Sequence, residues 1–330
     1  MPADDSIHHA HDKLFKAAFG DPATAAAFLR AELPAALAAA IHWPTLRIET
    51  GSFIDSQFRR SESDLLFSAG FGHEDAARPG LIYILFEHQV KEEPLLALRL
   101  LRYMLRIWEN WRKSHLQATH LPALIPVVLA QNAERWSCSP RFLGLIDLPP
   151  DLAAEMRPFI PDFSFQLIEL ATRSYTSLPG TPAGIMILRT MKAQRASELL
   201  TAPVWDEALL ARLPSDIHEL LLRYILASEI DIPAFNRRVN MLHQEDLKQR
   251  TMTLADQLIH KGHQEGRQEG RQESVQALRK GIVALLEARF GLLPAGLTEA
   301  IESINDFEQL LVLQHRAISC PSAEEFIAAF

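Results

Sequence analysis

The 330 residues are 48% hydrophobic and 22% charged, enough to bury a substantial core and to build more than one module. A formal net charge of -8 excludes a polycationic coat for nucleic acid, so phosphate contacts must come from a local basic patch or from metal ions beside acidic groups. Cys138 and Cys320 are the 2 cysteines, far apart and outside any CxxC pattern, which supports neither a thiolate zinc site nor a disulfide framework and fits a reducing cytosol.

The opening MPADDSIHHAHDK is polar and acidic with no apolar h-region. Apolar stretches elsewhere are broken by charge or proline well before the ~20 residues of a membrane span. The expectation is a soluble cytoplasmic protein that does not enter a membrane. Residues 12 to 40 read as helix interrupted near Pro22 and Pro34, with Asp21-Pro22 as an N-terminal signal and AALAAAI as a tract of high helix propensity. Three β-rich runs follow: LRIETGSFI, SDLLFSAGF and LIYILFEHQV. The last two flank the polar loop GHEDAARPG, which predicts a hairpin with a long tip.

Glu92-Glu93-Pro94 opens a long amphipathic helix, since acids and proline suit a first turn. Ala97, Leu101, Met104, Trp108 and Trp111 form its apolar stripe, and Arg99, Arg102, Arg106 and Lys113 a basic one. ALIPVVLA at 123 to 130 reads as a buried strand. The order α, β, β, β, α, β predicts a mixed sheet with helices packed on it. Residues 140 to 180 are proline-rich, with FSFQLIEL as one more candidate strand, and from about 183 the chain is helical. In GHQEGRQEGRQES, Gly262, Gly266 and Gly270 recur every fourth residue, as do Glu265, Glu269 and Glu273. A period of four keeps each type near one helical face, and a solvated linker helix is the favoured reading over a close-packed seam. Gly291 and Pro294 break the helical tail beyond it. Three blocks are expected: 1–180, carrying the sheet; 181–260, a helical extension; and 261–330, the repeat and tail.

The chemistry concentrates in LIYILFEHQV. Alternation places Tyr83, Leu85, Glu87 and Gln89 on one face and Ile82, Ile84, Phe86, His88 and Val90 on the other, so an acid and an amide close a buried central strand. A carboxylate buried without a partner costs several kcal/mol. Glu87 therefore needs a cation: an arginine such as Arg99 or Arg102, or a divalent metal. Asp64 begins the run Asp64-Leu65-Leu66-Phe67, and antiparallel pairing would bring it beside the end of the Glu87 strand. Two converging carboxylates repel unless a cation lies between them, and oxygen donors suit Mg²⁺ or Mn²⁺.

Several blocks in order make the chain recognisable: HDKLFK at 11 to 16, FLRAELP at 28 to 34, GSFID at 51 to 55, SDLLF at 63 to 67, LFEHQ at 85 to 89 and LRLLRYMLRIWE at 98 to 109. They resemble the Rpn family of recombination-promoting nucleases, also called YhgA-like, a branch of the PD-(D/E)XK nucleases. The resemblance covers roughly the first 130 residues most closely and weakens towards 200. It implies a restriction-endonuclease-like α/β core with a mixed sheet flanked by helices, a helical C-terminal region, and hydrolysis of DNA with Mg²⁺ or Mn²⁺.

Carried over residue by residue, the resemblance makes Asp64 and Glu87 the metal ligands, with the His88 carbonyl as a further one. Gln89 stands where the superfamily has lysine and the family commonly has glutamine. Glutamine orients a water but lends no charge, a part that falls to Lys91. His11 and Asp12, in the first block, would support the site, or Asp12 would cap the first helix. Arg99, Arg102, Arg106 and Lys113 would hold DNA phosphates, against a solvated helix face as the alternative. Gln131-Asn132 departs from the family, which tends to show a tyrosine, histidine and glycine turn after this strand. Two other functions stay open: an inactive DNA-binding or partner-binding scaffold on the same fold, and a ribonuclease. The C-terminal helices are the expected place for homo-oligomer formation.

Overall fold

The computed structural model describes residues 12–49, 65–72, 78–87, 93–131, 136–228, 230–294 and 296–328. The chain forms two compact units, Met1–Ala255 and Asp256–Phe330.

The first unit opens with three helices broken where proline demands it: α1 at 12–19, α2 (Pro22–Glu32) and α3 (Ala35–Ala40). Pro22 stands in the first turn of α2, where its missing N–H leaves no bond unmade, and Asp21 accepts from the Thr24 amide at 2.9 Å as its cap. Five strands then build one sheet in chain order: β1 (Ile41–Ile48), β2 (Leu65–Phe71), β3 (Arg78–Glu87), β4 (Ala123–Ala130) and β5 (Gln166–Glu169). β1, β2 and β3 pair antiparallel, while β3, β4 and β5 pair parallel. The parallel step from β3 to β4 is made by α4 (Leu96–Ser114), the helical crossover that parallel neighbours require. This mixed sheet with flanking helices, followed by a helical C-terminal region, is the α/β architecture expected of a PD-(D/E)XK core.

Two details depart from the sequence expectation. β1 begins at Ile41, directly after the alanine tract, and runs through Pro44. Proline is tolerated because β1 is an edge strand, and the pairing register slips between His42 and Arg47. Thr45 bridges the irregularity: its hydroxyl donates to the His42 carbonyl at 2.6 Å and accepts from the Gly70 amide at 2.8 Å. The buried stripe of α4 is also rotated. Leu96, Leu100, Tyr103 and Ile107 share the buried face with Ala97 and Met104, while Leu101, Trp108 and Trp111 are only half-buried. Both stripes fit helical spacing, and only the placement of the sheet decides between them.

α4 covers one face of the sheet, where Leu66, Leu81, Tyr83, Val128 and Ala130 join Leu100, Tyr103 and Ile107 in one core. Each of the larger of these side chains contributes about 1.5–3 kcal/mol by leaving water. The alternate residues Phe67, Ile82, Val127, Leu129 and Ile168 are equally shut off from solvent, so the sheet is covered on both faces. α1 and α2 bring Phe15, Phe19 and Phe28, fully buried and packed ring on ring at 4.7 and 5.2 Å between centroids. α5 (Pro182–Arg195) lies against them: a Cβ on Gly184 would sit 3.1 Å from the Thr24 methyl and 3.6 Å from the Phe19 ring. Between β4 and α5 the proline-rich segment forms short turns around β5. The first unit closes with α6 (Ser215–Ala227), α7 (Ile232–Asn240) and the start of α8 (Glu245–Phe290).

In the second unit, α8 continues through the glycine repeat, with residues 261–274 exposed on every side. A Cβ on Gly262, Gly266 or Gly270 would meet nothing within 4 Å, which is the solvated-helix arrangement. Gly291 ends α8 in the left-handed region, at φ 80°. α9 (Leu297–Ser303), α10 (Phe307–Ser319) and α11 (Ala323–Ile327) then fold back on the end of α8 around Ile282, Leu286, Ile301, Leu310 and Phe326. Cys138 and Cys320 are both free thiols, and among the described residues no helix is long and apolar enough to cross a membrane.

Candidate active site

The register of β2 on β3 orders the strands that adjoin the candidate residues. Leu65 pairs with Ile84, Leu66 with Tyr83 and Phe67 with Ile82. Because the strands run antiparallel, the start of β2 lies towards the C-terminal end of β3, and Glu87 is the last residue of β3. Asp64 precedes Leu65 in the chain and itself lies outside the described residues, as do His11, His88, Gln89 and Lys91. What the structure describes nearby is the start of β2 at Leu65 and the end of β3 at Glu87.

Parallel pairing extends that edge to two further strands. Glu87 pairs in register with Ala130, and Ala130 with Glu169. The C-terminal edge of parallel strands is where open α/β sheets bind ligands, because the chain leaves the sheet there in diverging directions. Glu169 is half-buried and its Oε2 accepts from the Trp136 amide at 2.6 Å. Sequence reading gave this residue no role. An acid closing the apolar run FSFQLIEL, much as Glu87 closes LIYILFE, was the available signal.

Gln131, the departure from the family pattern, has a structural explanation. Its side chain is 1% exposed, and Nε2 donates to the Met191 carbonyl at 2.6 Å, tying the end of β4 to α5. Lys192 makes the matching tie at β5, donating to the carbonyls of Leu170 and Ala171, each at 2.9 Å. Burial holds the Lys192 ammonium below its ordinary pKa, against an opposing pull from Glu198. Glu32 of α2, pushed up by burial, faces Arg173 just beyond β5, whose charge opposes that rise. These bonds fix the loops that surround the sheet edge.

The remaining sequence candidates are dispersed along two helices. Asp12 is buried, at the first turn of α1. Arg99 pairs with Glu93 at 2.7 Å and its side chain is 13% exposed, so it is a poor phosphate ligand. Arg102 and Lys113 are exposed and Arg106 is half-buried, with the Lys113 ammonium donating to Asn110 at 2.9 Å. At a rise of 1.5 Å per residue, the row from Arg102 to Lys113 extends for roughly 16 Å along α4. Trp108 donates to the Pro122 carbonyl at 2.9 Å, and Trp111 stacks on His115 at 4.1 Å.

At the sheet edge Glu169 presents a carboxylate, a donor type that suits a hard divalent ion. No group of three His, Cys, Asp or Glu side chains assembles among the described residues.

A family model described as "Putative transposase, YhgA-like" matches residues 9–215. "Recombination-promoting nuclease RpnA" of Escherichia coli (strain K12) is 29% identical over 262 residues, which are 77% of this chain and 85% of that protein. "Recombination-promoting nuclease RpnD" of Escherichia coli O157:H7 is 34% identical over 118 residues, 36% of this chain and 44% of that protein. "Inactive recombination-promoting nuclease-like protein RpnE" of Escherichia coli (strain K12) is 28% identical over 259 residues, 77% of this chain and 83% of that protein. No solved structure matches the chain.

Proposed function

Because the chain belongs to the YhgA-like family of transposase-related proteins, we propose that it is a divalent-metal-dependent DNA endonuclease acting in recombination. The observation that supports this reading is the β2–β3 register, which sets Leu65, the chain neighbour of Asp64, opposite Ile84, three residues before Glu87. Relatives named as recombination-promoting nucleases support the reaction class.

In this reading Asp64 and Glu87 hold Mg²⁺ or Mn²⁺, with the His88 carbonyl as a third donor. When bound, the ion polarises a phosphodiester and makes a water acidic enough to attack it. The Gln89 amide orients that water, and Lys91 supplies the positive charge that glutamine cannot. Arg102, Arg106 and Lys113 on α4 hold DNA phosphates beside the cut. The exposed stretch of α8 and the C-terminal helices carry self-association.

A second reading keeps the fold and drops the chemistry: a DNA-binding or partner-binding scaffold. The relative named inactive, which matches this chain over a comparable length, favours it. Plasmid nicking and Mn²⁺ calorimetry, run side by side, separate the two. Asp64→Ala and Glu87→Ala are expected to abolish nicking and weaken Mn²⁺ binding together, whereas Gln89→Ala slows nicking and leaves Mn²⁺ affinity nearly intact. An Asp64→Ala protein that binds Mn²⁺ and nicks DNA like the parent refutes the assignment. A parent that binds DNA and leaves it uncut with either ion establishes the scaffold, and cleavage of RNA alone moves the substrate to ribonuclease chemistry.

A further inference from the structure

The end of α4 carries a different surface from the rest of this acidic chain. From Asn110 to Leu121 the sequence holds no Asp or Glu, while Arg112, Lys113, His115 and His120 lie in the same stretch and every residue from 112 to 121 is exposed. A chain of net charge -8 thus presents a locally cationic patch here. Trp108 anchors it, donating from Nε1 to the Pro122 carbonyl at 2.9 Å, just before β4.

Two rings form a stack inside this patch. Trp111 is half-buried and packs against the core beneath α4. His115 lies on it, with ring centroids 4.1 Å apart and an angle of 5° between the planes. The Trp111 carbonyl can only accept, so His115 Nδ1 donates to it at 2.8 Å, and this bond fixes the orientation of the imidazole. His115 is exposed although Trp111 covers one face of its ring, so the other face is turned to solvent. Single-stranded nucleic acid is bound by such a combination, in which bases stack on a ring held in place and basic side chains follow the phosphates. In a duplex the bases are already stacked on one another, and a flat face is offered only at the ends.

We propose that the Trp111–His115 stack is a platform for an unpaired base of single-stranded DNA, with Arg112 and Lys113 holding the adjoining phosphates. This rests on the DNA-binding part of the reading above and adds a substrate class to it, DNA with an unpaired segment. The rival role is a structural one. His115 is the C-cap residue of α4, its amide bonded to the Arg112 carbonyl at 3.1 Å, and the stack would then only close the helix.

Binding of fluorescein-labelled oligo(dT), and of a duplex of equal length, to the full chain in EDTA separates the two roles by anisotropy, with tryptophan-fluorescence melting run on each variant. A platform predicts that His115→Ala weakens oligo(dT) binding about fivefold or more and lowers the ratio of single-strand to duplex affinity, while His115→Phe, which keeps a flat ring, stays within about twofold of the parent. Arg112→Gln/Lys113→Gln is expected to reduce the slope of log affinity against log salt for oligo(dT) by about 1.4. A cap predicts that His115→Ala lowers the melting temperature and leaves oligo(dT) affinity unchanged. Parent-like oligo(dT) binding by a folded His115→Ala protein overturns the proposal and leaves the nuclease reading standing, as does a parent that binds duplex but no oligo(dT). A parent that binds neither overturns both. Should His115→Ala fail to fold, His115→Leu keeps the bulk without the flat ring and carries the same comparison with His115→Phe.

Discussion

His218 offers the most quantitative test of the fold. It lies on α6, 1% exposed, against the first turns of α8. The Thr251 hydroxyl donates to the Leu247 carbonyl at 2.7 Å, so towards His218 Nε2, 3.3 Å away, it acts as acceptor. That fixes the neutral tautomer with the proton on Nε2 and leaves buried Nδ1 without a hydrogen-bond partner. Burial, with a smaller contribution from the Arg250 charge, pulls the imidazole pKa down from 6.5 to about 4. The folded state therefore resists a proton that the unfolded chain accepts. Stability from this group is complete above pH 6.5 and is lost as the pH falls towards 4. At pH 5 the unfolded chain has gained most of that advantage, about 2 kcal/mol at about 1.4 kcal/mol per pH unit.

All five tryptophans, Trp43, Trp108, Trp111, Trp136 and Trp205, lie in the first unit, as His218 does. Urea unfolding followed by tryptophan fluorescence thus reports on the unit that contains the histidine. His218→Leu removes the titration and leaves the Thr251 hydroxyl bonded to Leu247. Between pH 8 and pH 5 the parent is expected to lose about 2 kcal/mol more than the variant, since contributions of other titrating groups such as Glu32 cancel in the comparison. Equal losses in parent and variant refute the account of His218 as a buried neutral base.

Gly80→Ala would set a methyl 2.4 Å from the Phe71 ring across the hairpin, so a loss of about 1–3 kcal/mol in urea unfolding is expected, largely recovered by adding Phe71→Leu. No recovery in the double variant would mean that the clash is not the cause. Removing two of these charges with Arg102→Gln/Arg106→Gln should weaken DNA binding and reduce the slope of log affinity against log salt by about two. An unchanged slope returns α4 to a solvated face. Replacing Gly262, Gly266 and Gly270 by alanine meets no neighbour and should raise helix content by circular dichroism, at about 0.8–1 kcal/mol per site. A concurrent loss of assembly in light scattering would mark the glycine face as the self-association seam, and an unchanged mass would remove it from that role.

Much of this protein was legible locally. Pro22 and Pro34 cut the opening helices because proline cannot sit in a helix interior. Short β-rich and apolar runs marked β2, β3 and β4, and the acids of LFEHQ and SDLLF are site candidates through their family pattern. Those features depend on neighbours within a few residues, so the chain carries them in plain order. The tertiary structure decided the rest. Which face of α4 is buried depended on where the sheet lies, because both stripes satisfy helical spacing. Gln131 looked like a lost motif until its amide was found bonded to Met191, 60 residues away. Glu169 joined the row of Glu87 only through the pairing of β4 with β5, and His218 became a buried base only when α8 closed over α6. Each of these is set by contacts between segments distant in the chain, and local periodicity carries no information about them.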